Sequence, residues 1–378
     1  MDKGRSIFIS AGEQSGDMHG SSLMHELNKL APVTFYGLGG DMMAAEGLVT
    51  LAHINDLAAT GIKEVAKKYF YFKSVLKKCV NKIYEIDPPA VVLIDYPGFN
   101  LRLAKEIREN YNGKIIYYIS PQVWAWHEKR VLMIKKLIDK MIVVFPFEVE
   151  FYKQYEIEAE YAGHPLVKRI GDFLKTTVKN PDAVIPEVQK LITLLPGSRN
   201  DEVKHHLPVL IDTIKMLRKD FKIKLFISRA QTVKKELLKG ILKEENEFEI
   251  IESNLYQHIY ESDLVMTKAG TSTMECSLIG TPFLLFYKTY PLNYYMLKPL
   301  VKISNIGIIN ILSGKNLVRE FIQKDFNKES LYREAKKILT DKDYQKELRE
   351  SLKSVWNILG TEDSAYNAAK SIYQFALS

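Results

Sequence analysis

The run Ala90-Val91-Val92-Leu93-Ile94 constrains this chain more than any other stretch. It is apolar at every position, whereas a strand with one wet face alternates apolar and polar residues. Such a run reads as a parallel strand covered on both sides, and parallel strands need crossover connections, usually helices. The surrounding chain supplies them. Ser6–Ser10 is a β-type run, followed by Ala11-Gly12-Glu13-Gln14-Ser15-Gly16-Asp17 and a helical pattern over Met18–Lys29. Further strands are expected at 33–37, 114–120 and 141–145. A second alternation starts at Leu191–Leu195 and continues through strands at 224–228, 248–251, 263–266 and 283–287. Strand–helix alternation of this kind specifies doubly wound α/β architecture.

At 378 residues the chain exceeds one ordinary core, and two domains are expected. The stretch 170–188, with Pro181 and Pro186, reads as the linker. The first domain is placed at 1–170 together with a C-terminal helix at 350–378, and the second at 188–349. The net charge of +7 suits an anionic partner, a nucleotide or an acidic membrane surface; nucleic acid is not expected. Two cysteines, Cys79 and Cys276, give neither a disulfide framework nor zinc spacing. No uninterrupted apolar run reaches the ~18 residues of a membrane span, and the start is too short in apolar residues for a signal peptide.

Several loops carry chemistry. Met266–Cys276 reads as strand, Gly270 turn and helix N-terminus, an arrangement that binds anions through free N–H groups and the helix dipole. Glu275 lies within reach of a ribose there. Ser272-x-x-Glu275 is equally a capping box, which needs no ligand. Asp95 ends the apolar strand, where α/β proteins bind ligands, and is either a general base or the cap of the next loop. Pro196-Gly197-Ser198-Arg199 repeats the strand–glycine loop–helix pattern, with Arg199 as a phosphate donor or an ordinary surface arginine. Trp124, Trp126 and His127 crowd one loop-to-helix junction, which suits a ligand or interface as well as packing. In 60–78, Ile62, Val65, Tyr69, Phe72 and Leu76 share a helical face among lysines, either packed on the sheet or lying in a membrane interface. The G-x-G-x-x-G of dinucleotide enzymes is missing.

Taken in order, the stretches Ala11–Asp17, Leu93–Asn100, Ser120–Trp126, Leu194–Arg199 and Gly270–Cys276 resemble the lipid-A-disaccharide synthase family, inverting glycosyltransferases of the GT-B type. The resemblance covers nearly the full chain. It implies two Rossmann-like doubly wound parallel-sheet domains facing a cleft, with C-terminal helices crossing back to the first. It implies transfer of 2,3-diacylglucosamine from its UDP donor to the 6-hydroxyl of 2,3-diacylglucosamine 1-phosphate, in β-1,6 linkage. It further implies Asp95 as the base, Arg199 on the phosphate side, and Asn310 as another polar residue linked to activity. Gly12, Glu13, Ser15, Gly16, Gly197, Ser198, Gly270, Thr271, Ser272 and Glu275 are the candidate nucleotide-sugar contacts. No cofactor or metal is expected, and Asp341-Lys342-Asp343 is discounted as a D-x-D motif because it lies in a lysine-rich helical tail. The chain departs from some relatives at Gly98, where they have a second acid, and at Lys63, where an apolar residue can occur. The partners implied are the two lipid substrates and an inner-membrane surface, with a monomer or homodimer as the working unit. The rival readings are another UDP-sugar enzyme of this fold, such as a UDP-N-acetylglucosamine epimerase, and a non-catalytic nucleotide-sugar-binding module.

Overall fold

The computed structural model describes residues 5–57, 62–125, 129–177, 189–243, 245, 247–290 and 305–378, with backbone alone at 62–69 and 129. The chain divides into two units, one of residues 1–165 and 361–378, the other of residues 166–360. Among the described residues each unit holds one parallel sheet.

In the first unit the strands are β1 (Ser6–Ala11), β2 (Thr34–Gly39), β3 (Leu48–His53), β4 (Ala90–Ile94), β5 (Lys114–Tyr118), β6 (Lys140–Val143) and β7 (Ala159–Tyr161), in the spatial order β3-β2-β1-β4-β5-β6-β7. β4 is buried at every residue, as its unbroken apolar run requires. Its flank is the core of Phe8, Leu93, Tyr117 and Met141. The edge strands β3 and β7 carry no such run and escape the sequence pattern.

Helix α1 (Gln14–Leu30) buries Leu23, Met24 and Leu27. It starts four residues before the apolar periodicity does. The reason is Asp17, whose carboxylate accepts N–H bonds from Gly40 (2.7 Å), Met42 (3.1 Å) and Met43 (3.0 Å), tying the first turn to the start of α2 (Asp41–Ala45). The final helix, Ser364–Ala376, belongs to this unit and packs on α1. It is pinned by Ser364 Oγ 2.9 Å from Tyr118 OH, by Asn367 Nδ2 donating to Ala162 O, and by Arg5 over the Tyr373 ring.

Helix α4 (Ile62–Ile86) buries Val75, Cys79 and Ile83, and packs Phe72 and Leu76 against the same core. That part of the expected amphipathic face is therefore a packing face. Phe70, by contrast, is 81% exposed, and Tyr71, Lys73, Lys77 and Lys78 are exposed around it. The side chains of Ile62, Lys63, Val65 and Tyr69 lie outside the described residues.

In the second unit the strands are β8 (Gln189–Leu195), β9 (Lys222–Ser228), β10 (Glu249–Ile251), β11 (Leu264–Lys268), β12 (Phe283–Tyr287) and β13 (Glu320–Ile322), in the order β10-β9-β8-β11-β12-β13. Helix α8 (Pro165–Thr176) carries into the stretch read as linker, because Ile170 is buried and Phe173 meets the rings of Tyr256 and Tyr260. Residues 178–188 lie outside the described residues. The helix Lys342–Leu359 closes the unit, with Trp356 Nε1 donating to Leu278 O. Among the described residues no helix is long and apolar enough to cross a membrane.

Candidate functional site

Both sheets reverse their strand order once, between β1 and β4 in the first unit and between β8 and β11 in the second. Ligands of open α/β sheets bind beyond the carboxyl ends of the strands at such a reversal. The four loops singled out from the sequence leave those four strands: Gly12-Glu13 after β1, Asp95-Tyr96 after β4, Pro196–Arg199 after β8, and Ala269-Gly270 after β11.

Asp95 and Tyr96 both have left-handed backbones, with φ of 43° and 48°. Non-glycine residues hold this conformation at a cost of about 1–3 kcal/mol each, so the surroundings must impose it. They do. The Asp95 carbonyl accepts from Tyr117 OH (2.5 Å) and Asn100 Nδ2 (2.7 Å). Asn100, fully buried, also donates to Ile94 O and accepts from Ser10 Oγ at 2.7 Å, so it ties β1 and β4 to α5 (Pro97–Ile107). Pro97 at the first helical position then starts α5. Asp95 is thereby held, partly buried, at the strand end. Burial, with the Glu13 carboxylate adding repulsion, pushes its pKa up to about 6, against a weaker pull from the Tyr96 N–H. An acid raised in this way has a pKa closer to neutral, in the range that suits a general base. Gly98 faces open space, with nothing within 4 Å of a Cβ there.

Of the other first-loop residues, Glu13 is the N-cap of α1 and exposed, Ser15 is exposed, and Gly16 is buried with its Cβ position 3.1 Å from Ala11 Cβ. Gly16 is thus a packing glycine inside the helix. The Trp124 loop is anchored on Glu148, which accepts the Trp124 Nε1–H at 3.1 Å; Trp126 and His127 lie outside the described residues.

In the second unit the two glycine loops differ. Helix α9 (Asn200–Leu217) has Arg199 at its N-cap, and its own Glu202 folds back to accept the Ser198 N–H at 3.0 Å. Glu202 also pairs with Lys268 at 3.1 Å, joining the ends of β8 and β11. Burial works to raise the Glu202 pKa, but Lys268, the Ser198 N–H and Arg199 outweigh it and hold it below the usual range. Gly197, at φ 135°, leaves the room this carboxylate occupies, since a Cβ would lie 2.6 Å from Glu202 Oε2. Arg199 itself is exposed.

Helix α12 (Thr271–Ile279) is capped by Gly270 at φ 155°, with no acid in its first turn. The Thr273 N–H already donates to Gly270 O at 3.1 Å, the N–H groups that open a helix otherwise lack intrahelical acceptors, and the dipole favours an anion there. The capping box does not form. Ser272 Oγ lies 2.6 Å from Thr267 Oγ1, and Glu275, one residue beyond the first turn, accepts from Tyr256 OH at 3.1 Å. Burial raises the Glu275 pKa, while the Tyr256 hydroxyl and Arg169 pull it down. The Arg169 guanidinium lies 5.2 Å over the Tyr256 ring. Tyr256, Lys268 and Glu202 are site neighbours that the sequence did not mark; Lys268, within the quoted stretch, was the one with a legible signal.

Asn310 is elsewhere in this unit and 1% exposed. Its amide donates to Val318 O (2.8 Å) and Glu320 Oε1 (2.9 Å) and accepts from Val318 N (3.0 Å). These bonds commit both amide donors, so Asn310 fastens the helix Ile308–Ser313 to the lead-in of β13. Asp341 is the N-cap of the last helix of the unit, accepting from Tyr344 N at 2.9 Å. Among the described residues no three of His, Cys, Asp and Glu group as a metal site.

Two parallel-sheet α/β units, each with its chosen loops at a strand-order reversal, define a GT-B protein. Solved structures share that fold over the whole chain. A putative UDP-N-acetylglucosamine 2-epimerase from Listeria monocytogenes aligns with a TM-score of 0.67 at 12% identity, covering 98% of this chain and 96% of that one. The calicheamicin glycosyltransferase CalG4 aligns with a TM-score of 0.62 at 11% identity, covering both chains completely. Sequence goes further than fold: residues 7–375 match the lipid-A-disaccharide synthetase family, and the chain belongs to it. The lipid-A-disaccharide synthase of Trichlorobacter lovleyi is 34% identical over 94% of this chain and 93% of its own length. That of Nitrosococcus oceani is 35% identical over 94% and 92%. The chain is accordingly a glycosyltransferase with the lipid-A-disaccharide synthase function of its family.

Proposed function

We propose that the enzyme transfers 2,3-diacylglucosamine from UDP to the 6-hydroxyl of 2,3-diacylglucosamine 1-phosphate, forming the β-1,6 disaccharide 1-phosphate and UDP. The observation that carries this reading is Asp95, an acid raised to about 6 at the end of the central strand. Its carboxylate takes the hydroxyl proton as the acceptor oxygen bonds to C1 of the donor. The C1–oxygen bond to the diphosphate breaks on the opposite side, inverting C1, and UDP leaves with the bonding electrons. The donor is assigned to the second unit, with its diphosphate at the Gly270–Ser272 helix end and Arg199, and its ribose diol at Glu275. Charge gathers on the diphosphate as it leaves, where preorganised N–H groups and a guanidinium act most strongly. The Gly197-Ser198 loop supports this indirectly, since its N–H is already given to Glu202. The acceptor is assigned to the first unit.

Acylated substrates require a lipid-facing approach. Peripheral association with the inner membrane of a Gram-negative cell is supported by the exposed Phe70 and Tyr71 among Lys73, Lys77 and Lys78. Of a second stretch read from the sequence as apolar and lysine-rich, Tyr290–Val301, Tyr290 is exposed and residues 291–301 lie outside the described residues. Mass spectrometry of the wild-type protein with both acylated substrates is the test. Disaccharide 1-phosphate and UDP in equal amounts are expected. Turnover of UDP-N-acetylglucosamine without lipid, or loss of donor with no disaccharide, would contradict the reading. Flotation with anionic liposomes should weaken on charge reversal at Lys73, Lys77 and Lys78; unchanged flotation removes this helix as the contact.

A further inference from the structure

Glu148 stands in the first turn of α7 (Pro146–Lys153) and is 1% exposed. A carboxylate at this position needs only to reach back to its own helix end. Oε2 does so, accepting the Phe145 N–H at 3.1 Å. Oε1 does something else. It accepts from Ser120 Oγ at 3.0 Å and from Trp124 Nε1 at 3.1 Å, on a loop more than twenty residues earlier. Ser120 Oγ is also 2.8 Å from Tyr152 OH, and donation from Tyr152 to Ser120 to Glu148 satisfies all three groups. The Phe147 and Trp124 rings meet in a T-shaped pair, centroids 5.0 Å apart and planes at 88°. A buried carboxylate is costly to keep, and burial indeed raises this one to about 7 against the pull of its donors. A helix cap alone is provided more cheaply by serine or threonine.

The loop so fastened leaves β5, the strand paired with β4, where Ile94 stands opposite Tyr118. The next residues are Asp95 on one strand and Ile119 on the other. Ile119 has φ of 62°, an uncommon conformation for a β-branched residue. Three non-glycine left-handed residues thus gather at two adjacent strand ends, the pattern of a functional rather than a connecting surface. The Trp124 ring is only half-buried, and its one polar group is already committed to Glu148. What it offers a ligand is an apolar π face. The matching chemistry is the C–H face of a pyranose ring.

We infer that Trp124 is a sugar-stacking surface beside Asp95 for the acceptor, and that Glu148 is the positioning residue that holds its indole in place. This rests on the function proposed above. It explains why one carboxylate is shared between a helix end and a distant loop, and it gives the acceptor an orientation before its 6-hydroxyl meets the base.

The test is steady-state kinetics of the full chain, with the acceptor varied at saturating donor. Trp124→Leu should raise the acceptor KM by about fivefold to tenfold, with the donor KM unchanged and kcat altered less. Glu148→Gln keeps an oxygen for Trp124 but sets an NH₂ against the Phe145 N–H, so it should also raise the acceptor KM. In a Trp124→Phe background, which lacks the indole N–H, Glu148→Gln should have a markedly smaller effect on that KM. Equal effects in both backgrounds would reduce Glu148 to a fold residue and overturn its role. An unchanged acceptor KM in Trp124→Leu would overturn the stacking role, and does so even where Glu148→Gln fails to fold. A wild-type protein that makes no disaccharide would overturn the proposed function, and this inference with it.

Discussion

A Cβ added to Gly12 would lie 2.0 Å from Cδ1 of Tyr96. The loop after β1 and the loop after β4 are therefore fitted to each other by the missing side chain of one and the ring of the other. Tyr96 is the second of the two left-handed residues that present Asp95. Gly12→Ala must push that ring away and disturb the turn. Turnover should fall by about 10²-fold, the usual cost of a displacement near 1 Å at a reacting group. Tyr96→Ala added to Gly12→Ala should restore part of the loss, because the clash partner is gone. Near-normal kcat in Gly12→Ala would contradict the fit.

The pH profile tests the neighbour of Asp95. Burial comes first and Glu13 second among the causes that hold the acid at about 6. A base must be ionised to act, so kcat/KM should climb as pH rises through about 6. Glu13→Gln removes a nearby negative charge and so favours the ionised Asp95. Its pKa falls, and the acid limb moves to lower pH. A limb that stays in place in Glu13→Gln would show that the titrating group is not Asp95.

Tyr256 tests the donor side. Its hydroxyl is given to Glu275 at 3.1 Å, and its ring lies under Arg169. Tyr256→Phe keeps the ring and frees Glu275 to turn. The donor KM should rise by about threefold to tenfold, roughly the net worth of one ordinary hydrogen bond, with kcat less affected. An unchanged donor KM would remove Glu275 and its tyrosine from the ribose.

The sheets were legible where strands are buried on both faces. β4 reads directly from five consecutive apolar residues, and β8, β11 and β12 from similar runs. β3, β7 and β13, all edge strands, were not legible, although β10, an edge strand as short as β7 and β13, was read from its apolar residues at 248–251. An edge strand has one paired side and a wet face, so selection for apolar residues is weak. Asp95 and the glycine loops were visible because strand ends and turns have strict local chemistry. Glu202, Tyr256 and Glu148 were not, since each acts through a partner distant in sequence or folded back on its own helix. Ser272 and Glu275 show the opposite failure: the spacing of a capping box is present, yet Gly270 caps the helix and Glu275 turns to Tyr256 instead.

Asn310 separates packing from chemistry. Asn310→Ala leaves the Val318 N–H and C=O without their partner in a buried site, at a cost of about 1–3 kcal/mol. Thermal unfolding should move down by several degrees, and any loss of activity should follow that destabilisation. Unchanged unfolding with abolished turnover would place Asn310 at the reacting groups instead.

The proposed reaction turns on Asp95 as the base. Asp95→Asn keeps the size of the side chain and leaves the backbone bonds from Tyr117 and Asn100 in place, but removes the proton acceptor. The decisive measurement is kcat for disaccharide formation beside UDP affinity by calorimetry, both at pH 7.5 or above, about where the wild-type acid is ionised. With Asp95 as the base, kcat should fall by about 10²-fold or more with UDP affinity unchanged. A variant that turns over within about threefold of wild type would show that Asp95 is not the base.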